Sequence, residues 1–347
     1  MLLEEIGADA RIRELFEPYA AQGLELGRVS SAAHEQFRIY LKEGDYEAVP
    51  AGRLRYDSVL PAVGDWVAAR RVDSTLALIE AVLPRRTKFS RRAAGRAVAE
   101  QVIAANVDLA VIVCGLDGDF NLRRLERYLV LARESGGDAL IVLNKSDLCD
   151  GVSQRLEQIT AVAARVPCLV MSARASVQDL RSLIRGRTVA LLGSSGAGKS
   201  TIVNALIGEQ SQITLPVREA DSRGRHATTS RMLIPLPEGG AVIDSPGMRE
   251  LQLWATENSL DGVFDDVAAL ALECRFRDCT HSNEPGCAIQ NALRSGGIDS
   301  ARWRSYCKLQ GELRHELLQQ DPLAQTAVKA KWKAIHKAMR NHPKHQR

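Results

Sequence analysis

Residues 188–201 read TVALLGSSGAGKST, and the fold turns on how this stretch is read. An apolar run, Val189, Ala190, Leu191 and Leu192, ends in Gly193; Gly198, Lys199 and Ser200 follow, and residues 202–207 have helix-forming character. The spacing is G-x-x-x-x-G-K-[ST], a phosphate loop between a strand and a helix. Its glycines let backbone N–H groups turn inward on phosphate oxygens, where a Cβ would obstruct them. The helix N-terminus adds partial positive charge. Gly193, Ser194, Ser195, Gly196, Ala197, Gly198 and Thr201 are expected to line the phosphates. Lys199 would reach the β- and γ-phosphates, and the Ser200 hydroxyl would ligate Mg²⁺. The plainer reading is a Gly/Ser-rich turn, but the preceding strand supplies the context the motif requires.

Upstream, residues 109–115 (LAVIVCG) and 139–143 (ALIVL) are buried-strand runs, and CLVMS at 168–172 is a third. Amphipathic helices are expected at 120–134 and 153–164 between them. Alternating strands and helices imply a parallel sheet covered on both faces. The second strand ends in Asn144-Lys145-Ser146-Asp147, at the strand end where open α/β sheets bind ligands. A carboxylate at Asp147 can accept paired hydrogen bonds from guanine N1–H and its amino group, a donor pair adenine lacks. Asn144 would tie this loop to the phosphate loop, Lys145 would cover the base, and Ser172-Ala173 would offer backbone N–H groups to the guanine oxygen. N-K-x-D alone is a weak signal; beside a phosphate loop it makes guanine the best-supported base.

Downstream, the polar segment 212–229 holds Arg225, His226, Ala227, Thr228 and Thr229 and reads as a mobile loop. A threonine here would ligate Mg²⁺ and sense the γ-phosphate, Thr229 being preferred. A hairpin over 232–243 ends in Asp244-Ser245-Pro246-Gly247. Asp244 would hold Mg²⁺ through water, and the Gly247 N–H would meet the γ-phosphate. The base-reading motif thus precedes the phosphate loop, a circular permutation of the common order, which closely spaced termini make tolerable. Met248 stands where a water-orienting glutamine is found in Ras-like enzymes, so slow intrinsic hydrolysis is expected. His226 could orient the attacking water; a solvated loop histidine is the plainer reading.

Cys274, Cys279, His281 and Cys287 lie within fourteen residues, among Gly, Pro and Asn. Four soft or borderline ligands suit a closed, structural Zn²⁺ site. Cys114 and Cys168 fall in apparent strands and are expected in the core. Residues 298–341 are helical by pattern; after Asp321 no acidic residue remains, while Lys329, Lys331, Lys333, Lys337 and Arg340 surround Trp332. That basic tail fits a nucleic-acid contact or a solvated helix.

Residues 24–90 form short β-rich runs at 24–30, 36–41, 45–49, 64–71 and 76–82, punctuated by turn residues, which suits an oligonucleotide-binding (OB) barrel. Arg53, Arg55, Arg70, Arg71, Arg85, Arg86 and Lys88 are a candidate phosphate footprint or a solvated face. Residues 1–22 read as a short helix or mobile arm, and 90–106 as a basic linker. The chain has 347 residues, seven cysteines and net charge +4, enough length for two or three domains. No apolar run reaches the roughly 20 residues of a membrane span, and the acidic start lacks signal-peptide character. A cytoplasmic protein without a membrane role is expected.

The chain resembles the ribosome small-subunit-dependent GTPase A family (RsgA, also called YjeQ). The resemblance rests on GRLRYDSVLPAVGDWV, PRRTKFSRRAAGR, QVIAANVD, DGDFNLRRLERYL, LNKSDL, LLGSSGAGKST, GRHATTS, DSPGMREL and CRFRDCTHSNEPGCAI, from about residue 52 to about residue 289. It implies a GTPase of late small-subunit maturation, activated by the 30S subunit. It also implies flanking domains that contact 16S rRNA, His226 as the catalytic histidine and the four Cys/His residues as zinc ligands. Ala227 departs from the family's usual third threonine.

The expected architecture is multidomain α/β and β. An arm (1–22) precedes an OB-fold RNA-binding barrel (23–90) and a linker (91–104). A circularly permuted P-loop GTPase domain (105–265) and a mainly helical zinc-binding domain with a basic C-terminal helix (266–347) follow. The expected function is hydrolysis of GTP to GDP and phosphate by a monomer, with Mg²⁺ and one structural Zn²⁺. The alternative is a GTP-dependent rRNA-binding assembly factor whose turnover is incidental.

Overall fold

The computed structural model describes residues 2–33, 36–57, 59–92, 100–208, 231–244 and 255–320. They fall into two units, Met1–Arg91 with Gln101–Gln252, and Arg92–Glu100 with Leu253–Arg347.

The first unit opens with a 3-10 turn, Leu3–Ile6, and helix α1, Ala10–Ala20. The Asp9 carboxylate caps α1 by accepting from the Ile12 N–H at 2.9 Å. Ile6 and Ile12 are buried against Leu24, Trp66 and Leu83. The segment read as a helix or mobile arm is therefore a packed helix, because its apolar positions complete the neighbouring core.

Five strands follow, β1 (Glu25–Ala33), β2 (Gln36–Leu41), β3 (Gly44–Pro50), β4 (Trp66–Arg71) and β5 (Leu76–Val82), with helix α2 (Gly52–Tyr56) after β3. Their order is β1-β2-β3-β5-β4, and β4 pairs back onto β1. This closes a five-stranded barrel. Burial alternates along β2 and β3 and brings Phe37, Ile39, Leu41, Tyr46 and Ala48 into one core.

Much of the barrel's positive charge is matched internally. Arg53 and Arg70 each approach Glu80 at 3.6 Å, Arg71 pairs with Glu25 at 2.5 Å and with Glu43, Arg85 meets Asp65 at 2.7 Å, and Arg86 pairs with Asp108. These five side chains are thus less available to phosphate than their sequence clustering suggests. Residues 90–106 also differ from a plain linker. They hold most of two paired strands, β6 (Lys88–Arg92) and β7 (Glu100–Ala105). Ile103, Ala104 and Ala105 are fully buried there.

The α/β region runs β8 (Leu109–Gly115), α3 (Leu122–Ser135), β9 (Asp138–Asn144), α4 (Val152–Ala163), β10 (Cys168–Val170), α5 (Gln178–Ile184), β11 (Thr188–Leu192), α6 (Lys199–Ile207), β12 (Arg231–Pro235) and β13 (Ala241–Asp244). The sheet order is β10-β9-β8-β11-β13-β12, parallel except for β12. From β8 the chain steps outward to β9 and β10, then returns to β11 on the other side of β8. That reversal is a topological switch point, and the loops after β8 and β11 flank its crevice. The barrel joins the same sheet through antiparallel pairing of β1 with β12, Ser31 opposite Met232.

Beneath this junction lies Arg28, 1% exposed. Its guanidinium donates to the Ile6 carbonyl, the Gly64 carbonyl at 3.4 Å, the Asn106 carbonyl at 3.3 Å and Thr188 Oγ1 at 2.8 Å, and lies 4.8 Å from the Trp66 ring centroid. A charge so buried is tolerable only with its donors satisfied.

The second unit contains α7 (Glu257–Val263), α8 (Asp265–Leu272), α9 (Ala288–Ser295) and α10 (Ser300–Gln320). Arg302 on α10 makes a two-pronged ion pair with Asp266, both contacts at 2.7 Å, and lies 4.6 Å from the Phe264 ring centroid. Tyr306 stacks with Trp303 and donates to Asp261 at 3.1 Å. Among the described residues no helix is long and apolar enough to cross a membrane.

Candidate functional site

The β11 strand delivers the chain to the mouth of the crevice, and α6 begins at Lys199, directly after the glycines. Two of those glycines are required by close approach. At Gly193, φ is +145° and a Cβ would lie 2.4 Å from the Val113 carbonyl oxygen; at Gly198, φ is +98° and a Cβ would lie 2.2 Å from Asn144 Nδ2. Any larger residue would push the phosphate loop off the neighbouring strand ends. Lys199 Nζ folds under the loop and donates to the carbonyls of Gly193, at 2.7 Å, and Ser194.

The second loop packs against the first through one buried side chain. Asn144, 2% exposed, donates from Nδ2 to the Ala197 carbonyl at 3.0 Å and accepts from the Ala173 N–H at 2.9 Å. The tie expected of Asn144 is therefore present. One expectation changes: the Ala173 N–H, anticipated at a base, is engaged by Asn144. The Ser172 side chain donates instead to the Asp147 carboxylate, holding it below the usual range, with Arg174 and Lys145 adding to the effect. Lys145 has φ +64°, a left-handed backbone that is costly for a residue with a Cβ. Its ammonium pairs with Asp117.

These loops enclose a cavity of about 480 Å³ lined by Asn144, Lys145, Asp147, Ser172, Lys199 and Ser200, with Gly196, Gly198, Thr201 and Ala173 also on its wall. That volume suits a small-molecule ligand. One end presents backbone amides, a lysine and a helix N-terminus, a chemistry for anionic phosphate. The other presents a carboxylate fixed by a serine, a chemistry for a paired N–H donor. Asp244 ends β13, the strand beside β11, one position past the pairing of Ala190 with Ile243. Ser200 and Asp244 are the described residues that could hold Mg²⁺. Thr228, Thr229, His226, Gly247 and Met248 lie outside the described residues. The β8–α3 loop carries Asp117 and Asp119, which motif reading missed. Their signal was position, at the C-terminal end of a strand beside the phosphate-loop strand.

In the second unit Cys274, Cys279, His281 and Cys287 bring four ligand atoms within 4.8 Å of one another. Cys274 Sγ is 4.0 Å from Cys287 Sγ, and His281 Nδ1 is 3.5 Å and 3.6 Å from those sulfurs. Tetrahedral Zn²⁺ with ordinary bond lengths sets such edges at about 3.8 Å and about 3.6 Å, so the group fits the metal. Cys287 also caps α9, where the helix dipole favours a thiolate. Gln290 Nε2 donates to the His281 carbonyl at 2.6 Å, and the Trp303 ring stands edge-on to the imidazole.

A phosphate loop on β11, an N-K-x-D loop on an earlier strand and a shared cavity at the switch point define a circularly permuted GTPase. A family model described as RsgA GTPase matches residues 82–254. "Small ribosomal subunit biogenesis GTPase RsgA" of Opitutus terrae is 45% identical, over 98% of this chain and 97% of that protein. The protein of that name from Xylella fastidiosa is 49% identical over 72% of this chain and 75% of its own. The crystal structure of YjeQ from Thermotoga maritima superposes with TM-score 0.63 at 24% identity, covering 84% of this chain and 98% of that one. YloQ, a circularly permuted GTPase, gives 0.59 at 24% identity, covering 84% and 96%. The chain belongs to the RsgA GTPase family.

Proposed function

We propose that this chain is a GTPase that acts on the small ribosomal subunit during its maturation and turns over GTP fastest when bound to that 30S particle and its 16S rRNA. The observation that carries the reading is the convergence of Lys199 and Asp147 on one cavity in a chain related along nearly its whole length to small-subunit biogenesis GTPases.

In this reading Asp147 pairs with guanine N1–H and the amino group, the Lys145 stem covers the base, and Asn144 fixes the base loop to the phosphate loop. The amides of residues 193–201 and Lys199 hold the β- and γ-phosphates as charge develops on them. Ser200, Thr229 and Asp244 are the residues that would hold Mg²⁺, which when bound neutralises phosphate charge. His226 orients the attacking water and accepts its proton, a role that Met248 cannot fill. Cys274, Cys279, His281 and Cys287 would hold one Zn²⁺ that stabilises the second unit. Elemental analysis should find one zinc per chain, falling below half on Cys287→Ser; equal zinc in both would refute the assignment.

The test is steady-state GTP hydrolysis with and without purified 30S subunits, for wild type and His226→Ala. Strong stimulation, lost in the variant while GTP still binds, supports the reading. Tight GTP-dependent binding to the subunit without stimulation supports a binding switch in which turnover is incidental, the reading that Met248 favours.

A further inference from the structure

The loop between β8 and α3 holds two carboxylates that reach the two halves of the cavity. Asp119 accepts from the Ser194 hydroxyl of the phosphate loop. Its two oxygens also accept from Arg124 Nη1 at 2.7 Å and 2.9 Å. Arg124 is itself fixed in the first turn of α3, where the Asn121 side chain accepts from the N–H groups of Arg123 and Arg124 at 2.9 Å and 3.1 Å. Burial works against the Asp119 charge, but Ser194 and Arg124 outweigh it and hold the carboxyl below its usual range. Two residues earlier, Asp117 pairs with the Lys145 ammonium and lines the cavity.

Ser194 links this loop to the phosphate end. Its hydroxyl meets Asp119, while its backbone carbonyl accepts from Lys199 Nζ. The direction in which Lys199 points therefore depends on where Ser194 is held. Asn144 ties the two ligand loops directly; the β8–α3 loop ties each of them to the opposite wall of the crevice.

We propose that Asp119 and Asp117 are positioning residues for the nucleotide, Asp119 setting the phosphate loop and Lys199 through Ser194, and Asp117 setting Lys145 against the base. The proposal rests on the reading of this cavity as the GTP site. Neither carboxylate touches the reacting atoms. Each fixes a group that does touch the nucleotide, and so acts on how long the nucleotide stays.

The experiment is the dissociation rate of N-methylanthraniloyl-GDP, a fluorescent guanine nucleotide, from the full chain, followed by stopped flow. Loss of one charge-assisted hydrogen bond should speed release about tenfold in Asp119→Ala and about fivefold in Ser194→Ala. The double variant should release no faster than Asp119→Ala alone, because both substitutions remove one contact. Asp117→Ala should multiply with Asp119→Ala, since it acts through Lys145. Asp119→Asn keeps an acceptor oxygen and should recover most of the wild-type rate, which a general packing defect would not allow. Unchanged release from Asp119→Ala, or a double variant equal to the product of the singles, would overturn the proposal while leaving the site intact. A wild-type protein that does not bind the fluorescent nucleotide would overturn the GTP-site reading itself, and the positioning roles with it.

Discussion

The two ends of β11 are built on opposite plans. At its start, Thr188 is 1% exposed and every strong group has a partner. The Thr188 N–H donates to Asp108 at 2.7 Å, its hydroxyl accepts from Arg28, and Asp108 in turn pairs with Arg86. At its finish the strand enters an open polar cavity through Gly193 and Gly198, both at positive φ, opposite Lys145 in the same unfavourable region. One end gathers residues from positions 6, 28, 64, 106 and 188 into a dry, satisfied cluster. The other keeps backbone amides, an ammonium and a carboxylate turned toward solvent. The difference teaches a division of labour: the buried root stabilises a shape that lets the loop end keep costly backbone and open polar groups for a ligand.

Substitutions can separate the two ends. Arg28→Met should cost about 3–5 kcal/mol, because three carbonyls and a hydroxyl lose their buried donor. Urea unfolding would measure this loss, while guanine-nucleotide affinity of the folded protein should stay within about twofold, since no Arg28 contact reaches the loops. A parallel fall in affinity would break the comparison. Lys199→Ala should do the reverse. Guanine-nucleotide affinity in a fluorescence titration should fall about 100-fold through loss of a charge-assisted phosphate contact, with the urea midpoint of the nucleotide-free protein little changed. Asn144→Ala sharpens the contrast, because Asn144 is a fully buried group at the open end. It should cost about 1–2 kcal/mol of stability and about tenfold in affinity together, read by the same two assays.

Much of the loop end was legible in the sequence because its signals are local. A strand followed by G-x-x-x-x-G-K-S, and another followed by N-K-x-D, need only a few consecutive residues. The barrel strands were legible by the same logic, since alternating burial in residues 36–41 and 44–50 is written in the pattern itself. The root was not legible. In β1, Arg28 looks like any charged strand residue, and its partners come from segments up to 160 positions away. The arginines of residues 53–86 misled for the same reason: Glu80, Glu25, Glu43 and Asp108 neutralise them only after folding. The residue 90–106 segment looked like a linker because basic residues outweighed the short apolar run that becomes β7. Asp119 was missed since a carboxylate gripping a phosphate-loop serine has no motif of its own.

The central claim is that the open end reads guanine through Asp147, and exchanging its hydrogen-bond character tests this most directly. Turnover of GTP and of xanthosine triphosphate would be measured for wild type and Asp147→Asn under identical conditions. An asparagine presents an amide donor to the xanthine oxygen where the carboxylate accepted from the guanine amino group. GTP turnover efficiency should therefore fall about 100-fold and that of the xanthosine nucleotide should rise above it. Unchanged preference for GTP in the variant would contradict the account, and would show that the base is read elsewhere than at the end of β9.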